Sequence, residues 1–379
     1  MKIIKGVSHK SDGAEAVEEA ISNWSTAERQ QLNFILVYYS TQQNSNEVAA
    51  TLHHHFPEVT MAGCSTAGEF LDAERYEGSL VIMGIHSPTI NWQAAVLEDV
   101  RNFEPADGGE LVEELLSLHN LERDELNSEK HFALILQDGL AMQEEKITAA
   151  VTTYLQGVPL LGGSAGDDLQ FKQTTQIANG KAYSEAAVVI LGESAHPFAI
   201  IKNQHYQPAG EDVIVTDSNP EKRNIKTLDG RPAAEVYAEM TGVGIEEINT
   251  FDFGKSPLIY REQGEIYVRS IQKVEKDGSL TFYCAVDQGL LLEKGERQEP
   301  LQELKKSFDT LQHKLGEIEL VILFSCILCK AETESAEERQ AWGTLLQHYA
   351  PNVIGFDTYG EQLNGLHINQ TMVAIGFTK

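Results

Sequence analysis

Three stretches of this chain follow one plan, and that repetition restricts the folds open to it more than any single motif does. The first runs from the apolar strand NFILVYYS (33–40) through a helix over NEVAATLHHHF to VTMAGCSTAGEF (59–70) and SLVIMGIH (79–86). The second has HFALILQDG (131–139), a helix over EEKITAAVTTYLQ, PLLGGSAGDDL and AAVVILGE (186–193). The third has IELVILFSC (318–326), EERQAWGTLLQHY, NVIGFDTYGEQL (352–363) and TMVAIGF (371–377). Each helix carries an apolar stripe at helical spacing, as in Ile147, Ala150, Val151 and Tyr154 or Trp342, Leu345, Leu346 and Tyr349. The expected fold class is therefore α/β (mixed α+β), with repeated β-α-β-β units forming mixed sheets and helices on the outer faces. From turn glycine to closing-strand valine the spacing is 18 residues in copies one and three (Gly63 to Val81, Gly355 to Val373) but 27 in copy two (Gly162 to Val189). Copy two carries an insertion.

Between copies two and three the pattern changes. FAIIKNQHYQPAGEDVIVTD reads as two strands around Pro208-Ala209-Gly210, and a helix follows Asp229-Gly230 with Pro232 in its first turn and Ala233, Val236, Tyr237 and Met240 on its face. LIYREQGEIYVRSIQKVEKDGSLTFYCAVDQG alternates around Gln263-Gly264 and Asp277-Gly278, which predicts an antiparallel meander. A helix over 301–315, with Leu304, Phe308, Leu311 and Leu315, leads back to copy three. The expected domains are 1–215, holding two copies, and 216–379, holding the meander, the helix and the third copy.

Lys and Arg number 29 against 57 Asp and Glu in 379 residues, a net charge of −28. Such a field repels phosphate backbones and anionic lipid, so neither nucleic acid nor a membrane is an expected partner. The opening MKIIKGVSHKSDG lacks the apolar core of a signal peptide, which predicts a cytoplasmic protein. Four scattered cysteines, Cys64, Cys284, Cys326 and Cys329, read as reduced thiols.

Gly162-x-Ser164-x-Gly166 has the form of a hydrolase nucleophile elbow, but the following DDLQFKQTTQIANGK lacks the helix that motif requires. The sister copies place Ser65 and Asp357 where copy two has Ser164, so a turn or a ligand contact explains the serine better than catalysis. The protein is expected not to be an enzyme, the rival being a hydrolase using Ser164 or Ser65 with a distant histidine such as His205. Turns 63–69 and 355–361 space their glycines five apart, which lets backbone take positive φ near a bound group, while their Ser, Thr and Asp can equally bond their own backbone. Candidate ligand contacts are Gly63, Cys64, Ser65, Gly68 and Ser164, with Glu361, Asn369 and Thr371 in GEQLNGLHINQT. His53-His54-His55 sit 100° apart on a helix and do not converge on an ion. Cys326 and Cys329 form a Cys-x-x-Cys pair whose helix is expected to begin several residues later, which disfavours a redox or zinc role.

GCSTAGEF, NIKTLDGRPAAEVY and VIGFDTYGEQLNGLHINQT, in that order, resemble the FIST-domain family over nearly the whole chain. The resemblance implies an N-terminal and a C-terminal FIST domain forming an intracellular sensor of a small ligand. The ending GEQLNGLHINQT is similar to the nitric-oxide-sensing haem proteins of that family (NosP). That likeness implies haem b, detection of nitric oxide and regulation of a partner histidine kinase in bacterial two-component signalling; self-assembly into a homo-oligomer stays open. Lys330 after Cys329 excludes covalent haem attachment. The axial ligand implied is then a histidine: His205 first, on the expected strand face of Ala199 and Ile201, with His196 and His367 as alternates. A sensor of an amino-acid-like ligand without haem is the other form of this reading.

Overall fold

A computed structural model describes residues 1–262, 264–332 and 335–378. By contacts the chain divides into two units, one of residues 1–202, 305–366 and 372–379, the other of 203–304 with 367–371. Apart from residues 367–371, all three copies lie in the first unit, and they build three six-stranded sheets. In each copy the first strand is parallel to the turn strand and antiparallel to the closing strand. FILVYY (34–39) and HFALILQ (131–137) are buried at every position, as continuous apolar runs in a sheet covered on both faces must be. The expected mixed α/β fold is the one found.

Register shows how closely the copies correspond. Val37 pairs with Gly63 and Ile82, Ile135 with Gly162 and Val189, and Leu323 with Gly355 and Ala374. The separations are 19, 27 and 19 residues, so the insertion in copy two is eight residues long, one fewer than the valine spacing suggested.

Each copy also begins earlier than the shared motif. An edge strand (Lys2–Ser8, Ile90–Leu97, Phe198–Asn203) pairs with the closing strand, and a helix follows it (Gly13–Ala20, Pro105–His119, Pro300–Leu315). In copy three, residues 204–299, nearly all of the second unit, come between edge strand and helix, so that unit is largely an insertion into the third copy. It holds the expected meander, with Leu258–Glu262 against Glu265–Arg269 and Ile271–Val274 against Leu280–Phe282. Gln263 of the predicted turn lies outside the described residues. Pro232 caps the helix Ala233–Thr241 instead of entering its first turn.

The short hairpins are exchanged between copies. Glu69–Leu71 of copy one pairs with Asn352–Thr358 of copy three, Glu361–Leu363 of copy three with Leu160–Ser164 of copy two, and Gln176–Ala178 of copy two with Thr60–Ser65 of copy one. Each copy lends one hairpin and receives another, and none of the three sheets is built from one copy alone.

Gly63, Gly162 and Gly355 share one physical role. A Cβ at these positions would lie 1.9 Å from Val37 O, 1.9 Å from Ile135 O and 2.1 Å from Leu323 O. None of the three takes positive φ, so close approach of parallel strands, and not a left-handed turn, requires glycine there. Gly355→Ala is expected to lose about 3 kcal/mol through overpacking, read as a lower urea midpoint at unchanged m. An unchanged midpoint would refute this account.

Candidate functional site

The three turns meet in a closed ring of six backbone hydrogen bonds. Ser65 N–H donates to Thr175 O (2.8 Å), Ser164 N–H to Gly360 O (2.8 Å) and Asp357 N–H to Gly68 O (2.7 Å). In the return direction Gly166 N–H donates to Ser65 O (3.0 Å), Tyr359 N–H to Ser164 O (3.0 Å) and Ala67 N–H to Asp357 O (3.2 Å). The structure thus brings together Ser65, Gly68 and Ser164 of the predicted set, with Asp357 as the third ring residue. Thr175 takes the place of Gly68 and Gly360, because the eight extra residues of copy two fall just before it.

Ser65, Ser164 and Asp357 are fully buried. Ser65 Oγ donates to Gly166 O (2.7 Å) and accepts from Thr175 N–H (3.0 Å), while Ser164 Oγ accepts from Gln362 Nε2 (2.9 Å). No helix leaves Ser164, as a nucleophile elbow would need. Asp357 Oδ1 accepts from Arg75 Nη2 (2.7 Å), and Lys330 Nζ stands 3.8 Å from Oδ2. Burial pushes its carboxyl up to about 6 against the pull of Arg75 and Lys330. Lys330 also donates to Ala67 O (2.9 Å) and pairs with Glu77 (2.8 Å). Gly68, at φ 145°, leaves room for this carboxylate, since a Cβ there would lie 2.4 Å from Asp357 Oδ2.

A second layer of buried acids lies behind the ring. Glu69 accepts from Thr66 Oγ1 (2.5 Å) and Ser79 Oγ (2.6 Å), and burial raises it to about 8. Thr358 donates in the same way to Glu361, which is also fully buried. Copy two has Ala165 and Gln176 at these places. Cys64 is buried in its strand and its thiol is raised well above the usual range by that burial. His367, Asn369 and Thr371 are buried and group by contacts with the second unit.

Two sequence expectations need correction. The helix Ile327–Glu332 begins directly after Cys326, not several residues later, but burial and then Glu332 raise the Cys329 thiol well above its usual range, the reverse of what a reactive pair needs. His205 falls in the Gln204-His205 break between Phe198–Asn203 and Tyr206–Pro208, not on a strand face with Ala199 and Ile201. Its ring is buried against Tyr206, with centroids 4.6 Å apart. His196 Nε2 is bonded to Thr89 Oγ1 at 2.5 Å.

Within the first unit a cleft of about 440 Å³ opens between hairpin 69–76 and the helix Ala336–Tyr349. Another, of about 670 Å³, lies in the second unit by Asp212, Tyr260, Arg261 and Leu291. Neither is lined by His196, His205 or His367, the first lining is mainly polar and the second mixes Leu290, Leu291 and Tyr260 with charged residues, so they do not fit the apolar, histidine-bearing pocket of a b-type haem. Arg75, which lines the first cleft and reaches the ring, escaped the sequence reading, as did Lys330; the signal was the aspartate replacing serine at position 357, which demands a cation once buried.

Residues 33–231 match the FIST N domain and residues 233–364 the FIST C domain. An uncharacterised protein of Methanocaldococcus jannaschii is 23% identical over 232 residues, 60% of this chain and 44% of that protein, so the chain spans less than half of that relative's length. A crystal structure of cyanuric acid hydrolase from A. caulinodans superposes over 100% of this chain and 99% of its own, at 8% identity and a TM-score of 0.40.

Proposed function

The chain belongs to the FIST family, and from that membership we propose a sensory protein that binds a small ligand and does not transform it. FIST domains are small-ligand sensor modules of signalling proteins. The observation that supports binding over hydrolysis is the state of Ser65 and Ser164. Both hydroxyls are buried and engaged by Gly166, Thr175 and Gln362, whereas a nucleophile must reach substrate and hand its proton to a base. A fluorophosphonate probe is expected to leave the protein unlabelled; labelling that disappears in Ser164→Ala or Ser65→Ala would establish a hydrolase instead. Binding itself is read as a rise in Tm across a panel of small metabolites, since a ligand selective for the folded state stabilises it.

The narrower reading of haem, nitric oxide and a partner histidine kinase, in the cytoplasm of a bacterium, rests on sequence resemblance. An absorption spectrum after expression with haem supply decides it. A Soret band lost in His205→Ala supports that reading, and the absence of a band in the parent leaves the sensor of an amino-acid-like ligand. Among the described residues no helix is long and apolar enough to cross a membrane.

A further inference from the structure

Resting on the sensor reading, we propose that the ligand presents an uncharged amide-type edge, a C=O beside an N–H, to Gln176 and Tyr38 on the inner face of the first copy's sheet. Tyr38, Cys64 and Gln176 stand side by side on three neighbouring strands, Tyr38 opposite Cys64 and Cys64 opposite Gln176. Residues paired in this way share one face of the sheet. The alternate residues Val37, Tyr39 and Ile177 pack with the helices Gly13–Ala20 and Ser45–His55, so the row faces the other way. There the Tyr38 ring lies 4.7 Å from that of Phe356 in copy three. The next row on the same face, Leu36, Ala62 and Ala178, is apolar. At about 4.8 Å between strands, Tyr38 and Gln176 stand roughly 10 Å apart at their backbones, with the short Cys64 between them.

Comparison of the copies singles out Gln176. Glu69 faces Phe356 and Glu361 faces Gly163 in the register where Gln176 faces Cys64. Each of the two acids is engaged by hydroxyls of its own copy, Glu69 by Thr66 and Ser79, Glu361 by Thr358. Copy two has Ala165 in place of Thr66 and Ala186 in place of Ser79, and the acid has become an amide. Tyr38, Cys64 and Gln176 are entirely buried. Neither amide atom of Gln176 nor the Tyr38 hydroxyl has a hydrogen-bond partner among the described residues. Buried polar atoms are nearly always bonded, so these point to a partner from outside the chain. Burial, and after it Cys64, raises the Tyr38 hydroxyl well above its usual range, so it keeps its proton and remains a donor. A glutamine amide offers a donor and an acceptor in one plane, and its complement carries an acceptor and a donor side by side. The row holds no charged side chain, so a carboxylate or an ammonium would be buried there without a counter-ion.

The full chain titrated with propionamide, pyrrolidinone, propionate and propylammonium at constant ionic strength, read by calorimetry and by Tm, is expected to saturate with the two neutral amides. Gln176→Met and Tyr38→Phe keep the shape of the side chain and remove its polar atoms. Without ligand each is expected to raise Tm by about 2 °C, because an unbonded buried polar group is lost. Each is also expected to weaken amide binding at least tenfold. A fall in Tm in both variants means that the chain itself partners these atoms, and overturns the proposal. A rise in both with no saturation by either amide means that water alone partners them, and overturns it too. Saturation by propionate or propylammonium alone overturns the neutral assignment. A metabolite that raises Tm equally in the parent and in Gln176→Met binds elsewhere, which overturns this site and leaves the sensor reading intact. A metabolite panel without any stabilising member counts against the sensor reading as well.

Discussion

Glu69→Gln is expected to leave the protein folded and to flatten the fall in its stability between pH 6 and pH 8. Burial holds the Glu69 carboxyl at about 8, against 4.5 for the unperturbed group, with Ser79 and Thr66 pulling it back down. The folded state therefore keeps a proton that the unfolded state loses. Stability is greatest below the unfolded value and declines as pH rises toward the folded one, by about 5 kcal/mol over the whole interval at roughly 1.4 kcal/mol per unit. Asp357 adds a decline of the same sign between 3.8 and about 6, while His119 and His131, lowered from 6.5 by burial, act with the opposite sign, so the difference between parent and variant above pH 6 isolates Glu69. Glutamine is the residue copy two already carries here, as Gln176 facing Cys64 in the register where Glu69 faces Phe356. Urea midpoints at pH 6, 7 and 8 should fall in the parent and stay nearly level in the variant. Parallel profiles would show that Glu69 is ionised in the folded protein.

Arg75→Ala should be among the most damaging single substitutions at the site, costing about 3–5 kcal/mol, because it strands the fully buried Asp357 carboxylate with Lys330 3.8 Å away. The loss should exceed that of Asp357→Asn, which removes the charge itself. Adding Asp357→Asn to Arg75→Ala should recover most of it, and a double-mutant cycle from urea midpoints measures the coupling. Acidification below pH 6 should reduce the defect, since the stranded carboxyl then takes up a proton. Additive losses would mean that the 2.7 Å contact contributes little.

Much of the architecture was legible because the first strands are apolar on both faces. NFILVYYS, HFALILQDG and IELVILFSC can only be central strands, and three matching turns and closing strands fix their neighbours. The leading strand Lys2–Ser8 was not legible: in KIIKGVS only the last residue is fully buried, and an edge strand partly open to solvent has no continuous apolar run. Exchange of hairpins was hidden for another reason, since three-residue strands such as Glu69–Leu71 carry too little pattern to choose among partners. His205 was misplaced because two-residue alternation was carried across the break at Gln204. At the site the ring residues could be found by repetition, but Arg75 and Lys330 lie in the polar-looking stretches AERYEG and CKAE. Their meaning comes only from the buried carboxylate that they face.

The exchange of hairpins also sets a timetable for the growing chain. Leu71 leaves the ribosome early, yet its partner Ile354 is 283 positions further on. At about 5–20 residues per second that is a wait of roughly 15–60 s, during which hairpin 69–76 has no sheet to join. A ribosome that stalls before Asn352 therefore releases a product whose first copy is finished in sequence but still offers unpaired backbone, the kind of edge on which nascent chains aggregate. A strand translated late is the one that covers an early hairpin.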